Sequence, residues 1–365
     1  MQLLGLELTN FKNIGHASLE FSAGINCFVG NNGQGKSNLL DAIHYLSFCR
    51  SFTGVGDSLL IRRGEDFALA HARYIRRGAD EELSLGMVRG RRKSLKRGGK
   101  EYARLSEHIG RFPLVMAAPS DIALIQGSGE ERRRWMDMVI SQGDAAYLDA
   151  LTRYNNALAQ RNRLLRDRSG DRALFEVLEM TMDATARAIH ARRAAWIDGL
   201  QQLFGAFYGA VAGTDEAPLL TYESALNGSS MTDIFDRERL HDAAVGFTTS
   251  GVHRDDIDMS LDGLPMRRTG SQGQCKTFTV ALRLAQWKFL GDIAGMKPML
   301  LLDDIFDKLD ADRVSRIMNL VADGSYGQIF VTDTNRVNLD SIIARAGGEP
   351  RLWNVAAGEF MPLAL

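Results

Sequence analysis

The chain has 365 residues, 45% of them hydrophobic and 24% charged, with a formal net charge of −1. That size and apolar content suit one large domain or two and exclude a disordered chain. The balanced charge gives no overall pull towards nucleic acid, and no apolar run approaches the ~18 residues that span a membrane.

Residues 1–48 alternate apolar and polar positions and then run into an apolar strand, Ile25 to Val29. It is followed by Gly30-Asn31-Asn32-Gly33-Gln34-Gly35-Lys36-Ser37, which fits GxxxxGK[ST], and by a helical pattern opening at Asn38. Strand, glycine loop and helix are the context in which backbone N–H groups turn inward around phosphate oxygens. Lys36 is placed to reach β- and γ-phosphates, and the Ser37 hydroxyl to bind Mg²⁺. Gly30 to Asn38 are therefore the candidate ATP-binding residues. Residues 67–104 read as short strands, with Arg97-Gly98-Gly99-Lys100 as a hairpin turn. This stretch is basic: Arg89, Arg91, Arg92, Lys93, Lys96, Arg97, Lys100 and Arg104 stand against Glu101. On a hairpin these cations offer phosphate contacts to duplex DNA, although basic edge strands also serve solubility. From Glu130 to about Gly209 the pattern is helical, with breaks near Gly143 and Ser169-Gly170. Helices of ordinary length and a compact helical lobe are expected, not a long coiled coil.

Further on, Gly270-Ser271-Gln272-Gly273-Gln274 opens an amphipathic stretch from Thr277 to Leu290. Shortly after it, Met299-Leu300-Leu301-Leu302-Asp303-Asp304 is an apolar strand ending in paired carboxylates, the form of a Walker B element. Asp303 is expected to hold Mg²⁺ through water and Asp304 to polarise the attacking water. Asp307-Lys308-Leu309-Asp310, a helix from Arg313 to Ala322 and a strand from Gln328 to Thr332 follow. The two halves of the nucleotide site are thus separated by most of the chain. Residues 1–115 and 217–365 are expected to form one ATPase lobe with a mixed sheet, and 116–216 an inserted, mainly helical lobe. The three cysteines, Cys27, Cys49 and Cys275, lack metal-ligand spacing and read as buried hydrophobes of a reduced compartment. With no leader pattern at the N-terminus, a cytoplasmic location is expected.

These elements resemble the ABC-type ATPases, in which Ser271 to Gln274 would be the signature that grips a nucleotide held by a second protomer. The whole chain resembles the RecF family, relatives of the SMC and Rad50 heads. The resemblance rests on several blocks in order: Leu8-Thr9-Asn10-Phe11-Lys12-Asn13, Cys49-Arg50-Ser51-Phe52, Pro119-Ser120-Asp121, Arg132-Arg133-Arg134-Trp135-Met136-Asp137, Tyr154-Asn155-Asn156 and Gly251-Val252-His253-Arg254-Asp255-Asp256. In the last of these, valine replaces the family's proline. The resemblance implies slow, DNA-stimulated ATP hydrolysis, an ATP-dependent homodimer and duplex DNA binding. It further implies a RecR-like partner and a task in recombinational repair, replication and the SOS response: directing RecA loading at single-strand gaps. Competing readings are the ATP-binding subunit of a transporter and a scaffold with a structural ATP site. The chain departs from the ABC pattern in three ways. The second Walker B acid is Asp304 rather than glutamate, and Val331-Thr332-Asp333-Thr334 stands where a switch histidine is usual. Ser120 and Asp121 are the nearest polar candidates for a Q-loop. The roles of His253 and of Arg132 to Arg134 stay open at this level. Arg161, Arg163, Arg166 and Arg168 read as a solvated helix face, and His44 as a packing residue.

Overall fold

The computed structural model describes residues 1–307, 309–322 and 326–364. Its strands are β1 (Gln2–Phe11), β2 (Ile14–Glu20), β3 (Ile25–Val29), β4 (Phe67–Arg76), β5 (Ala79–Val88), β6 (Ser94–Arg97), β7 (Lys100–Glu101), β8 (Leu114–Ala117), β9 (Pro218–Glu223), β10 (Asp256–Leu261), β11 (Leu264–Pro265), β12 (Met299–Asp303), β13 (Ile329–Asp333), β14 (Arg351–Ala356) and β15 (Glu359–Leu363). Its helices are α1 (Lys36–Phe48), α2 (Ile122–Gln126), α3 (Gly129–Gly143), α4 (Ala145–Arg166), α5 (Arg172–Ala212), α6 (Met231–Val245), α7 (Met266–Thr269), α8 (Gln272–Ala294), α9 (Ala311–Ala322) and α10 (Arg336–Arg345). Two compact units result. The first comprises Met1–Asp121, Phe207–Gly213 and Lys276–Leu365, and the second Ile122–Ala206 and Thr214–Cys275.

The first unit holds the sheet that positions the site, in the order β15-β14-β3-β13-β12-β8. From β14 to β8 the strands run parallel, and β15 closes one edge antiparallel. β3, β8, β12 and β13 are buried at every position, which is why their sequences are apolar runs without alternation. A second, antiparallel sheet has the order β2-β1-β4-β5-β6-β7. Its strands do alternate: Ala68, Ala70, Ala72 and Tyr74 of β4 face the core with Leu83, Leu85 and Met87 of β5, while the intervening residues meet water. The expected hairpin turn is present. Arg97 pairs with Lys100, and Gly98 and Gly99 both take positive φ, 51° and 77°, as a two-residue turn matched to strand twist requires.

The second unit packs helices with the small antiparallel sheet β11-β10-β9. Two features differ from the sequence reading. α5 runs unbroken for 41 residues, with no proline to interrupt it. The boundaries also differ from the expected 1–115, 116–216 and 217–365. Residues 217–275 join the helical unit, because β9 pairs with β10 and α3 packs on β10. Conversely, the end of α5 belongs to the first unit. Tyr208 and Val211 are buried there, and Arg316 of α9 donates to the Ala212 carbonyl at 2.8 Å.

Candidate nucleotide site

The phosphate loop connects β3 to α1, so its backbone donors lie at the carboxyl end of a parallel strand, where such sheets bind ligands. Gly33 and Gly35 have φ of 78° and 119°, left-handed values that glycine adopts without a Cβ penalty. Gly30 is needed for a different reason: a Cβ there would lie 2.3 Å from the Val355 carbonyl oxygen. Lys36 is buried, and its Nζ donates to the carbonyls of Gly30 at 2.7 Å and Asn31 at 3.2 Å. The ammonium is thus folded back into the loop that it would serve when phosphates arrive.

The loop is held from outside by two turns. Gln34 Oε1 accepts from the Ala357 N–H at 2.7 Å, and the Gln34 carbonyl accepts from the Gly358 N–H at 2.8 Å and Asn13 Nδ2 at 3.1 Å. Asn13 Oδ1 in turn accepts from Asn38 Nδ2 at 2.8 Å. Gln34 thus braces the loop with both its side chain and its carbonyl, and Asn38 with its side chain. Asn13 was not singled out by sequence reasoning; its only signal was membership of the block Leu8 to Asn13. Its neighbour Lys12 pairs with Asp41 of α1 at 2.6 Å, and Asp41 also accepts from Ser51 Oγ at 2.7 Å and the Phe52 N–H at 2.6 Å.

β13 separates β3 from β12, yet the acids of β12 still reach the loop. Ser37 Oγ donates to Asp303 Oδ1 at 2.9 Å. Thr332 Oγ1 donates to the same oxygen at 2.7 Å and accepts from the Asp304 N–H at 3.0 Å. Asp304 Oδ2 lies 3.9 Å from Lys36 Nζ. Burial raises the pKa of Asp303, opposed by the hydrogen bonds from Thr332 and Ser37 and by the charge of Lys36. Burial also raises that of Asp304; Lys36 pulls it down, while Asp303, Asp333 and Asp307 push it up. The shift moves Asp304 towards the range of a working base. A cavity of about 760 Å³ opens beside Asp304 and is lined by Asn32, Asp307, Thr334, Asn338 and Arg345 among others. The Ser37 hydroxyl and Asp303 carboxylate, two hard oxygen donors at the loop's end, suit a hydrated Mg²⁺.

The other candidates separate clearly. Thr332 and Asp333 are buried; Asp333 accepts from the Asn335 N–H at 2.8 Å and Asn338 Nδ2 at 2.7 Å and lines the cavity. Asp121 is buried in an ion pair with Arg283 at 2.5 Å, while Ser120 is exposed. Of Asp307 to Asp310, Lys308 lies outside the described residues. Ser271, Gln272, Gly273 and Gln274 fall in the second unit. Ser271 and Gln274 cap each other there: Ser271 Oγ accepts from the Gln274 N–H at 3.2 Å, and Gln274 Oε1 from the Ser271 N–H at 3.0 Å.

The basic stretch is not one surface. Arg89 donates to the carbonyls of Glu65 at 2.8 Å and Ser58 at 3.0 Å. Lys93 is turned inward to Tyr45 Oη at 2.8 Å and Asp57 at 3.1 Å, and Arg97 pairs with Glu81 at 3.5 Å. Arg91, Arg92, Lys96 and Lys100 are exposed. In the second unit, Arg132 forms a two-pronged pair with Asp256 at 2.6 and 2.8 Å. Arg161 is not on a solvated face: it is 2% exposed and bound to Asp242 and Glu179. His253 takes a structural place, with Nε2 donating to the Thr248 carbonyl at 3.0 Å and Nδ1 accepting from Tyr154 Oη at 2.8 Å. Arg193, which sequence reasoning passed over, is 1% exposed and binds Asp137 at 2.8 Å, Asp255 at 2.7 Å and the Val252 carbonyl at 2.7 Å.

A strand–loop–helix phosphate cradle, with paired acids two parallel strands away, defines a P-loop protein of the ABC and SMC-head type. A family model described as an AAA domain matches residues 6–64. The DNA replication and repair protein RecF of Parabacteroides distasonis is 46% identical over 363 residues, covering 100% of both chains. A solved structure described as the recombination mediator protein RecF–ATP in the RecFOR pathway superposes with a TM-score of 0.89 at 27% identity, covering 99% of each chain. An Smc head domain from Pyrococcus furiosus, at 18% identity and a TM-score of 0.59 over 100% of this chain and 96% of that one, shares the fold. The chain belongs to the RecF family of DNA replication and repair proteins.

Proposed function

We propose that this protein binds and slowly hydrolyses ATP and uses the nucleotide as a switch for pairing two copies around duplex DNA. The observation that carries the reading is the convergence of Lys36, Ser37, Asp303 and Asp304, with Ser37 hydrogen-bonded to Asp303 and Lys36 3.9 Å from Asp304. The backbone N–H groups of Asn31 to Ser37 bind the β- and γ-phosphates, and Lys36 swings from the loop carbonyls onto them. Ser37 and Asp303 would hold Mg²⁺, which would supply charge neutralisation at the phosphates. Asp304 orients the attacking water and accepts its proton. Ser271 and Gly273 of a second copy close the site from the far side, a twofold arrangement with two nucleotides. ATP favours pairing because only the paired state offers it both surfaces.

Arg91, Arg92, Lys96 and Lys100 are the DNA contacts that fit best, since they are exposed, whereas Arg89, Lys93 and Arg97 are engaged within the protein. Backbone recognition of duplex next to single-strand gaps, a RecR-like partner, guidance of RecA loading and a cytoplasmic location complete the reading. The relatives' role in DNA replication and repair and the RecFOR setting of the solved neighbour support it. They also weigh against a transporter subunit.

The test is binding of a fluorescent duplex of about 30 base pairs with ATP·Mg²⁺, ADP·Mg²⁺ or no nucleotide, at two salt concentrations. Tight, salt-sensitive binding with ATP alone, abolished by Lys36→Met and prolonged by Asp304→Asn, is expected. Unchanged binding by Lys36→Met would leave the scaffold reading standing instead.

A further inference from the structure

β13 lies between the strand that carries the phosphate loop and the strand that carries the acids, and its register sets Thr332 directly beside Asp303 on one side and Phe28 on the other. The Thr332 side chain is fully buried there, so its hydroxyl is reserved for its neighbours. That hydroxyl has one proton and two lone pairs. The proton goes to Asp303 Oδ1 at 2.7 Å, and one lone pair takes the Asp304 N–H at 3.0 Å. One oxygen atom thereby ties the carboxylate of the first acid to the backbone of the second.

The backbone that it ties is strained. Asp304 has φ of 44°, in the left-handed region that a residue with a Cβ occupies at a cost, and it persists only where its surroundings hold it. The hold consists of the Thr332 hydroxyl and the Thr332 carbonyl, which shares the same N–H at 3.2 Å. The turn leaves the Asp304 carboxylate in the wall of the cavity and 3.9 Å from Lys36. The second donor on Asp303 Oδ1 is different in kind: Ser37 Oγ stands on the phosphate loop at 2.9 Å and is the group that turns to a metal. When Ser37 leaves, Thr332 is the side chain among these that still fixes the Asp303 carboxylate.

We propose that Thr332 is a positioning residue for ATP hydrolysis, which orients the Asp303 carboxylate for Mg²⁺ and locks the strained turn that presents Asp304. This rests on the ATPase reading above. The contact is made from inside the sheet, by a residue of the segment that stands where a switch histidine is usual.

The experiment compares full-length wild type, Thr332→Val, Thr332→Ser and Lys36→Met. Steady-state ATP turnover, binding of a fluorescent ATP analogue across a Mg²⁺ titration, and the melting temperature are measured. Valine keeps the branched shape and removes the hydroxyl; serine keeps the hydroxyl and removes the methyl. Thr332→Val should lower kcat about 10- to 100-fold, the worth of a lost hydrogen bond to a charged group in the rate-limiting geometry. KM and Mg²⁺-free analogue affinity should stay within about twofold, while half-saturating Mg²⁺ rises several-fold. Thr332→Ser should restore kcat to within about threefold of wild type. A Thr332→Val protein with wild-type kcat and Mg²⁺ dependence overturns the proposal. So does a serine variant as impaired as the valine one, which would assign the effect to methyl packing. If wild type shows no turnover that Lys36→Met removes, the ATPase reading falls, and the Mg²⁺ titration still decides the Thr332 contact by the same criterion.

Discussion

Replacing Arg193 with methionine keeps much of the stem's volume and removes the guanidinium from the centre of the second unit. Asp255 is 2% exposed and would retain the Tyr222 hydroxyl; Asp137 would retain that of Tyr147. Stripping one partner from a buried ion pair costs about 3–5 kcal/mol, because the remaining carboxylate has lost its solvent as well as its partner. Against a total stability of about 5–15 kcal/mol, that is a local opening rather than a rearrangement. Hydrogen exchange followed peptide by peptide reads it directly. Amides in α3, α4 and residues 252–261 should exchange about 10²- to 5 × 10³-fold faster, and those of β3, β12 and β13 at the wild-type rate. The defect should shrink as pH falls. Burial already raises the pKa of Asp255 and Arg193 opposes that rise, so without the arginine the carboxyl takes up a proton more readily and becomes neutral. Equal acceleration in both units, or less than about fivefold in the second, would refute the account of Arg193 as its electrostatic centre.

Asn13→Ala removes the link between Gln34 and Asn38, and ATP-analogue affinity should fall about 5- to 10-fold with little loss of melting temperature; unchanged affinity in a binding titration would count against the bracing role. Alanine at Arg91, Arg92, Lys96 or Lys100 should each reduce the salt slope of duplex binding by about one. Arg97→Ala should instead lower the melting temperature, since Arg97 pairs with Glu81, and leave the slope unchanged. His44 and His253 are both held neutral by burial, with pKa values lowered from 6.5 to about 4. The unfolded chain protonates them below 6.5 while the fold does not, so stability should decline as pH falls from 6.5 to 4, by up to about 3 kcal/mol for each. Melting curves between pH 7 and pH 5 check this; a flat profile would contradict the burial of these rings.

The pattern of the candidate nucleotide site was legible because its parts are local. A phosphate loop is eight consecutive residues, and a Walker B strand announces itself by an apolar run meeting two acids. The brace around the loop was not legible, because Asn13, Gln34 and Gly358 meet only once the two ends of the chain are adjacent. Charge runs misled for a physical reason. From composition alone an arginine on a helix reads as solvated, but Arg161 and Arg193 find carboxylates far along the chain and are buried with them. The same long-range pairs move residues 217–275 into the helical unit. Within β6 alternation separates two of the cations: Arg97 shares the inward side with Leu83, its partner in register, and Lys96 the outward side with Ser84.

The order of strands in the central sheet also bears on how the protein is made. β3 is hydrogen-bonded to β13 and β14, and β8 to β12, so the strand bearing the phosphate loop has no sheet neighbour until the last stretch of chain has left the ribosome. Residues 122–206 and 214–275 are complete well before that. Domains fold as they emerge, whereas parallel pairing waits for distant partners. The nucleotide site is therefore assembled last, and a nascent chain halted before β13 carries its phosphate loop on an unpaired strand, open to aggregation and recognisable as unfinished.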